Sequence, residues 1–243
     1  MRITIEKNLQ ISTVDQWFQV APPKGESSQW RPGRSALEMA RFALSDKFPT
    51  FIANIIRDID DQEDYFTCEP EAKTSFSKGM GTSGPRNHDL LMIGSSMVIG
   101  LEAKVSEPFD KQIKAKRIGA TDNMKCRLNA CLDYLYGENN HPGNAEDLYY
   151  QLFSATIGTI LEAERNKKKK ALVLFITFNG DVDKEPQYAD HIQANDEAFK
   201  SFCTSLGLSE KGGKLSSIPG AKDKDLECWI KGVKVTIGDY QIH

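Results

Sequence analysis

The chain predicts an α/β protein with a mixed central β-sheet flanked by helices. Three observations carry that expectation. The run "ALVLFITFNG" (171–180) is almost continuously apolar and short, so it reads as a strand covered on both faces. Two further apolar segments, 88–94 and 97–105, stand either side of a polar turn and read as a strand pair. Helical patterns are interleaved with these strands, which is the element order of an α/β layer structure.

In chain order, a first extended piece leads into "WFQVAPPKGESSQWRPGR" (17–34), rich in Pro, Gly and Ser and expected to be a loop. A helix follows over 35–44, with Ser35 as its cap, Glu38 three residues on as in a capping box, and Ala36, Leu37, Ala40 and Leu44 on one face. A second helix covers 48–59, opened by Pro49 near its first turn. Residues 65–78 alternate loosely and suggest a strand broken at Pro70, and 79–86 form a glycine-rich loop before the strand pair. Residues 107–136 look helical, with Gly119 as a break. Residues 145–166 give the longest helical pattern, with Leu148, Leu152, Ala155, Ile160 and Ala163 near one stripe. After strand 171–180 come a short helix (196–208) and a closing alternating segment (226–238).

The whole chain, 1–243, is expected to form one domain, and 243 residues suffice to bury a proper core. No apolar run reaches bilayer-spanning length, so no membrane partner is expected. No signal peptide is read at the start. Five scattered cysteines with no C-x-x-C pair point to reduced thiols and a cytoplasmic location. A net charge of −3 gives no global attraction to nucleic acid, but the basic residues cluster locally. Lys111, Lys114 and Arg117 open one such stretch and are candidate phosphate contacts. Lys167–Lys170 form a second, expected to be a solvated turn.

The strand pair carries charges that a core would not need. Glu102 and Lys104 are two apart on one strand and therefore share a face. A hairpin sets Asp89 beside them. Two adjacent carboxylates repel, and a hard divalent cation such as Mg²⁺, with Mn²⁺ as substitute, relieves that cost through oxygen ligands. The Ala103 carbonyl offers one more oxygen. Lys104 can position a water or offset charge on a phosphate. These are parts for phosphodiester hydrolysis. The surface alternative, Lys104 in an ion pair with Glu102 or Glu107, sits poorly with a segment as apolar as "MVIGLEAKV".

The D-x12-E-x-K order resembles the PD-(D/E)xK, or restriction-endonuclease-like, nuclease superfamily. Asp89 matches its signature aspartate, with His88 in place of the usual proline, and Glu102, Ala103 and Lys104 match its E-x-K. The wider texture, "QWRPGRSALE", "LEAKVSEPF" and "YQLFSATIGTILEAER", is similar to an uncharacterised bacterial branch, over roughly residues 15 to 235. The resemblance implies a restriction-endonuclease-like core, a Mg²⁺ site, and nucleic acid as partner, DNA before RNA, with a homodimer as one open assembly state. It also implies an acid on the first core helix, for which Glu38 is the candidate, and a site-facing glutamine on a later helix, for which Gln151 is the candidate. The longer Q-x-x-x-Y form is not met, because Ala155 stands four beyond Gln151.

Strand parity turns His88 away from Asp89 and makes it a buried, hydrogen-bonded histidine rather than a ligand. Arg86 and Lys78 flank the glycine-rich loop at the sheet mouth, where basic residues are common in any loop, and contact with phosphate is the lesser expectation for them. The loop lacks the order of a nucleotide-binding P-loop, and neither H-E-x-x-H nor G-x-S-x-G is present. The competing expectation is a catalytically silent binding module of the same fold, and a weaker one is chemistry on a small phosphate ester.

Overall fold

The computed structural model describes residues 1–7, 9–23, 29–76, 78–81, 84–105, 107–179, 187–238 and 240. Its elements, in order, are β1 (Arg2–Ile5), α1 (Val14–Val20), α2 (Ser35–Ala43), α3 (Lys47–Ile56), β2 (Tyr65–Thr74), β3 (Arg86–Gly94), β4 (Met97–Lys104), α4 (Ile113–Arg117), α5 (Asp122–Tyr136), α6 (Tyr150–Arg165), β5 (Lys170–Asn179), α7 (Gln187–Ser205), β6 (Gly212–Lys214) and β7 (Glu227–Thr236). The seven strands among the described residues join one sheet in the order β1-β2-β3-β4-β5-β7-β6. The β2-β3-β4 meander is antiparallel, β4, β5 and β7 run parallel, and β1 pairs with β2 in parallel at one edge. The sheet is therefore mixed, with helices covering it.

The alternation along β5 shows how the two layers form. Ala171, Val173 and Phe175 belong to a core shared with α5, α6 and α7, whereas Leu172, Leu174, Ile176 and Phe178 belong to a core under α1, α2 and α3. An apolar run at both parities is what a doubly covered strand requires. Gly180, the last residue of that predicted strand, lies outside the described residues.

Several expectations are corrected. Residues 17–34 are not all loop, because α1 reaches Val20. It is started by a capping box in which the Gln16 N–H donates to Thr13 Oγ1 at 3.2 Å and Gln16 Oε1 accepts from the Thr13 N–H at 3.3 Å. Lys24–Ser28 of that stretch lie outside the described residues. Ser35 does not cap α2. Arg34 holds the cap position without a side-chain bond, and the Ser35 N–H donates to Glu107 Oε1 at 3.1 Å.

Strand β2 does not break at Pro70. Pro70 pairs with Leu90 of β3, while β1 on the other side has already ended opposite Cys68, so the missing N–H faces no partner strand. Strand β6 and the first two turns of α7 carry no periodic signal and were not expected. Gly119, at φ 69°, does separate α4 from α5. The 79–86 loop includes Thr82 and Ser83, which lie outside the described residues. Among the described residues no helix is long and apolar enough to cross a membrane.

Candidate active site

The site forms where the β3–β4 ladder ends. Its last pair is Leu90–Leu101, and one step further the register sets Asp89 opposite Glu102. The Ala103 N–H donates to Asp89 Oδ2 at 2.6 Å, so the carboxylate takes over from the ladder.

The neighbouring strand is irregular at the same level. Glu71 of β2 has φ 49°, a left-handed conformation uncommon for a residue with a side chain, and it stands between the pairs Pro70–Leu90 and Ala72–His88. Across it β2 changes face: Phe66 and Cys68 lie in the α1–α3 core, and Ala72 lies in the α5–α7 core. Strand β3 changes face at Asp89 in the same way. Leu90 and Met92 face the α1–α3 core, while the His88 ring lies between Gly100 of β4 and Gly158 of α6. This paired irregularity delivers two carboxylates, from Glu71 and Asp89, to one level of the sheet.

Glu102 is buried and held from three directions. It pairs with Arg86 through Oε2, accepts from the Gln151 amide at Oε1, and accepts from Lys104 Nζ at Oε1 at 2.7 Å. Lys104 also donates to the Ala103 carbonyl at 3.1 Å and lies 5.9 Å from the centre of the Phe109 ring. Gln151, in the first turn of α6, is fixed in turn because its Oε1 accepts the Asp110 N–H at 3.1 Å.

The electrostatics separate these groups. Burial raises the Asp89 carboxyl to about 7, with the Glu102 charge adding to it. Burial raises Glu71 to about 8, with Asp89 and then Glu102 adding to it. Burial also works against the Glu102 charge, but Arg86 and Lys104 outweigh it and hold its carboxyl below the usual range. For Lys104 burial opposes the charge, while Glu102 and Asp89 more than restore it, so its ammonium keeps its proton. His88 is buried, and its Nε2 and Thr74 Oγ1 are hydrogen-bonded to each other at 2.9 Å. Burial, helped by Arg86, lowers its ring to about 3 and keeps it neutral.

Above this cluster opens a cleft of about 890 Å³, lined among others by Lys7, Glu71, Lys73, Arg86, Arg127 and Gln151. The structure thus brings together Asp89, Glu102, Ala103, Lys104 and Gln151. It does not bring Glu38 to them. Glu38 accepts from the Gly33 N–H and from Arg41, both at 3.1 Å, and from the Tyr240 hydroxyl at 3.2 Å. It lines a separate pocket with Tyr240 and Arg41. An acid three residues into a helix serves its own N-terminus, and that role accounts for Glu38.

The basic stretch after β4 is also placed differently from expectation. Lys114 pairs with Asp147 at 2.5 Å, and Arg117 binds Glu146 through both Nε and Nη2. Lys111 is exposed and makes no ion pair among the described residues. Lys169 and Lys170 of the second run pair with Asp223 and Asp60, both at 2.8 Å. The side chain of Lys78 lies outside the described residues. Sequence reasoning missed Glu71. Its only signal was an acid beside a proline on the strand next to Asp89.

The donor types fit a hard divalent cation: carboxylates of Asp89, Glu71 and Glu102 with the Ala103 carbonyl, and a local excess of suppressed negative charge. As they stand, no three His, Cys, Asp or Glu side chains among the described residues are gathered closely enough to hold a metal ion. Arg86, Lys104 and Gln151 occupy the Glu102 oxygens. An α/β protein with a buried acid–lysine cluster under a basic cleft is what fold and site define. One family, described as a domain of unknown function (DUF6946), matches residues 10–241, and the chain belongs to it. No curated protein and no solved structure matches the chain.

Proposed function

We propose that the protein is a Mg²⁺-dependent nuclease-like phosphodiesterase with a restriction-endonuclease-like core, acting in the cytoplasm on nucleic acid, DNA before RNA. The observation that carries this is the convergence of Asp89, Glu102 and Lys104 at the end of the β3–β4 pair, under a cleft with four basic side chains. Asp89, Glu102 and the Ala103 carbonyl would hold the cation, with Glu71 in the place the resemblance reserved for Glu38. A bound Mg²⁺ supplies charge to a phosphoryl oxygen and makes a water more acidic. Lys104, which keeps its proton, orients a nucleophilic water and offsets charge on the phosphate; it is not the base. Gln151 and Arg86 fix the Glu102 carboxylate.

Incubation of the protein with duplex DNA, single-stranded DNA and RNA, with Mg²⁺ or Mn²⁺, tests the reading. Metal-dependent cleavage is expected, and Lys104→Ala should reduce it by roughly a hundredfold or more, the usual effect of losing one charge-stabilising donor. Full activity in that variant would remove Lys104 from the chemistry. A second reading, a catalytically silent nucleic-acid or protein-binding module, draws on the way Glu102 is already satisfied by Arg86, Lys104 and Gln151. Nucleic acid bound but uncut with either metal would favour it.

A further inference from the structure

Arg127 of α5 is a buried guanidinium with no counter-ion among the described residues. It is 4% exposed and makes no ion pair with any described residue. Its contacts are a long bond from Nη2 to the Gly81 carbonyl at 3.5 Å, a hydrogen bond to the Tyr150 side chain, and the Phe76 ring, whose centre lies 4.3 Å away. Its Nε, also buried, has no acceptor among the described residues. A guanidinium carries five N–H donors and cannot shed its charge, so removing it from water with no acid beside it and with its Nε idle is costly.

Arg127 lines the cleft beside Arg86, whose own buried Nε lacks an acceptor among the described residues, and beside Tyr150 and Ser154 in the first turn and a half of α6. Tyr150 senses both arginines: burial raises its phenol to about 12, and Arg127 and Arg86 pull the other way. Two arginines whose Nε groups are unpartnered among the described residues, a phenol that bonds Arg127, and a serine hydroxyl that donates to the Gln151 carbonyl at 3.2 Å therefore line one cleft. Nothing in the chemistry of the Asp89–Lys104 cluster uses Arg127.

We propose that Arg127, Arg86, Tyr150 and Ser154 form a binding subsite for a phosphate group, filled by a nucleic-acid strand through a phosphate next to the one that reacts. The identity of the ligand as nucleic acid rests on the proposed nuclease reading; the anion site itself does not. Planar guanidinium edges match phosphate oxygens two at a time, which is the recognition Arg offers and Lys does not.

Thermal melting in chelator, with inorganic phosphate titrated against parent, Arg127→Met and Tyr150→Phe proteins, tests the site. Methionine keeps much of the volume and removes the charge. The parent should melt higher as phosphate rises, since a ligand that binds only the folded state stabilises it. Arg127→Met should melt at least as high as the parent without phosphate and gain nothing from it. Tyr150→Phe, which keeps the ring, should gain less than the parent. If phosphate fails to raise the parent, or raises Arg127→Met equally, the subsite is refuted. Should Arg127→Met fail to fold, Tyr150→Phe with an undiminished gain refutes it instead.

Fluorescent oligonucleotides of equal length, with and without a terminal phosphate, then separate the sources in the same buffer. Roughly tenfold weaker binding of both by Arg127→Met marks an internal phosphate, and a loss confined to the phosphorylated strand replaces it with a terminal one. A subsite that binds phosphate in a protein that cuts nothing would overturn the nuclease reading alone. Cleavage with unchanged phosphate and strand binding in Arg127→Met would overturn the subsite alone.

Discussion

Asp89 and Glu71 keep protons at a pH where ordinary carboxyls have lost them, and that has a measurable consequence for the metal-free protein. Asp89 is raised to about 7 and Glu71 to about 8, chiefly by burial and then by neighbouring carboxylates. From the ordinary carboxylate range up to about 8, the folded chain binds more protons than the unfolded one, so stability falls as pH rises. Glu102, held low by Arg86 and Lys104, works in the opposite sense: its stabilisation is present above the usual carboxylate range and lost on acidification. In chelator, the melting temperature should therefore decline from about pH 5 to about pH 8. Asp89→Asn should flatten that decline and melt above the parent at pH 8, because an amide oxygen can still accept the Ala103 N–H that Asp89 Oδ2 accepts now. Equal slopes in parent and variant would show that Asp89 is not the group being titrated. Asp89, Glu102 and Lys104 were legible because a strand imposes a period of two and a hairpin supplies the neighbour. Glu71 was not, because its place depends on a left-handed residue at which two strands change face together, and no local propensity signals that for a glutamate.

Helix α6 sets the roof of the site at a fixed height. Gln151 and Ser154 sit on its first turns, and Gly158 lets the His88 ring and Arg86 pass beneath it. On the facing strand Gly100 lies against Thr159, whose hydroxyl donates to the Ala155 carbonyl at 2.9 Å and is fully buried. A Cβ at residue 100 would lie inside van der Waals distance of Thr159 Oγ1 and 3.1 Å from His88 Nδ1. Gly100→Ala should thus force α6 from β4 and destabilise the protein by about 1–3 kcal/mol, the usual cost of overpacking a filled core. Urea denaturation reads this directly, and a midpoint equal to the parent's would mean that Thr159 rotates away without loss. The sequence shows α6 as a single stripe, yet the helix is buried from Leu152 through Ala163. Small residues such as Ser154, Ala155, Gly158 and Thr159 fill the sides that a stripe count leaves to solvent, so the helix was found and its depth was not. The reverse holds for α1, whose Thr13–Gln16 box is a plain sequence signal obscured by the Pro and Gly that follow.

At the scale of the whole molecule, an acidic chain with net charge −3 must present its positive charge locally if it is to hold a polyanion. Clusters along the sequence do not show where. Lys114 and Arg117 face Asp147 and Glu146, and Lys169 and Lys170 face Asp223 and Asp60, so these four cations already have acids beside them. The cleft collects its cations from distant segments instead. Lys7 follows β1, Lys73 lies on β2, Arg86 opens β3 and Arg127 belongs to α5. Only the folded sheet assembles them: of the basic stretch read along 111–127, Arg127 lines the cleft, whereas Lys114 and Arg117 face acids. The contrast can be measured. Lys73 is exposed and without an ion pair among the described residues, whereas Lys114 already has one. Lys73→Glu should weaken nucleic-acid binding in chelator more than Lys114→Glu does, for all sequences alike. It should also flatten the dependence of log affinity on log salt by roughly one unit, the effect of one lost phosphate contact. Lys114→Glu should leave that slope near the parent's, since its charge is shared with Asp147 before any ligand arrives. The opposite order would move the contact surface from the cleft to α4 and separate the grip from the Asp89–Lys104 cluster.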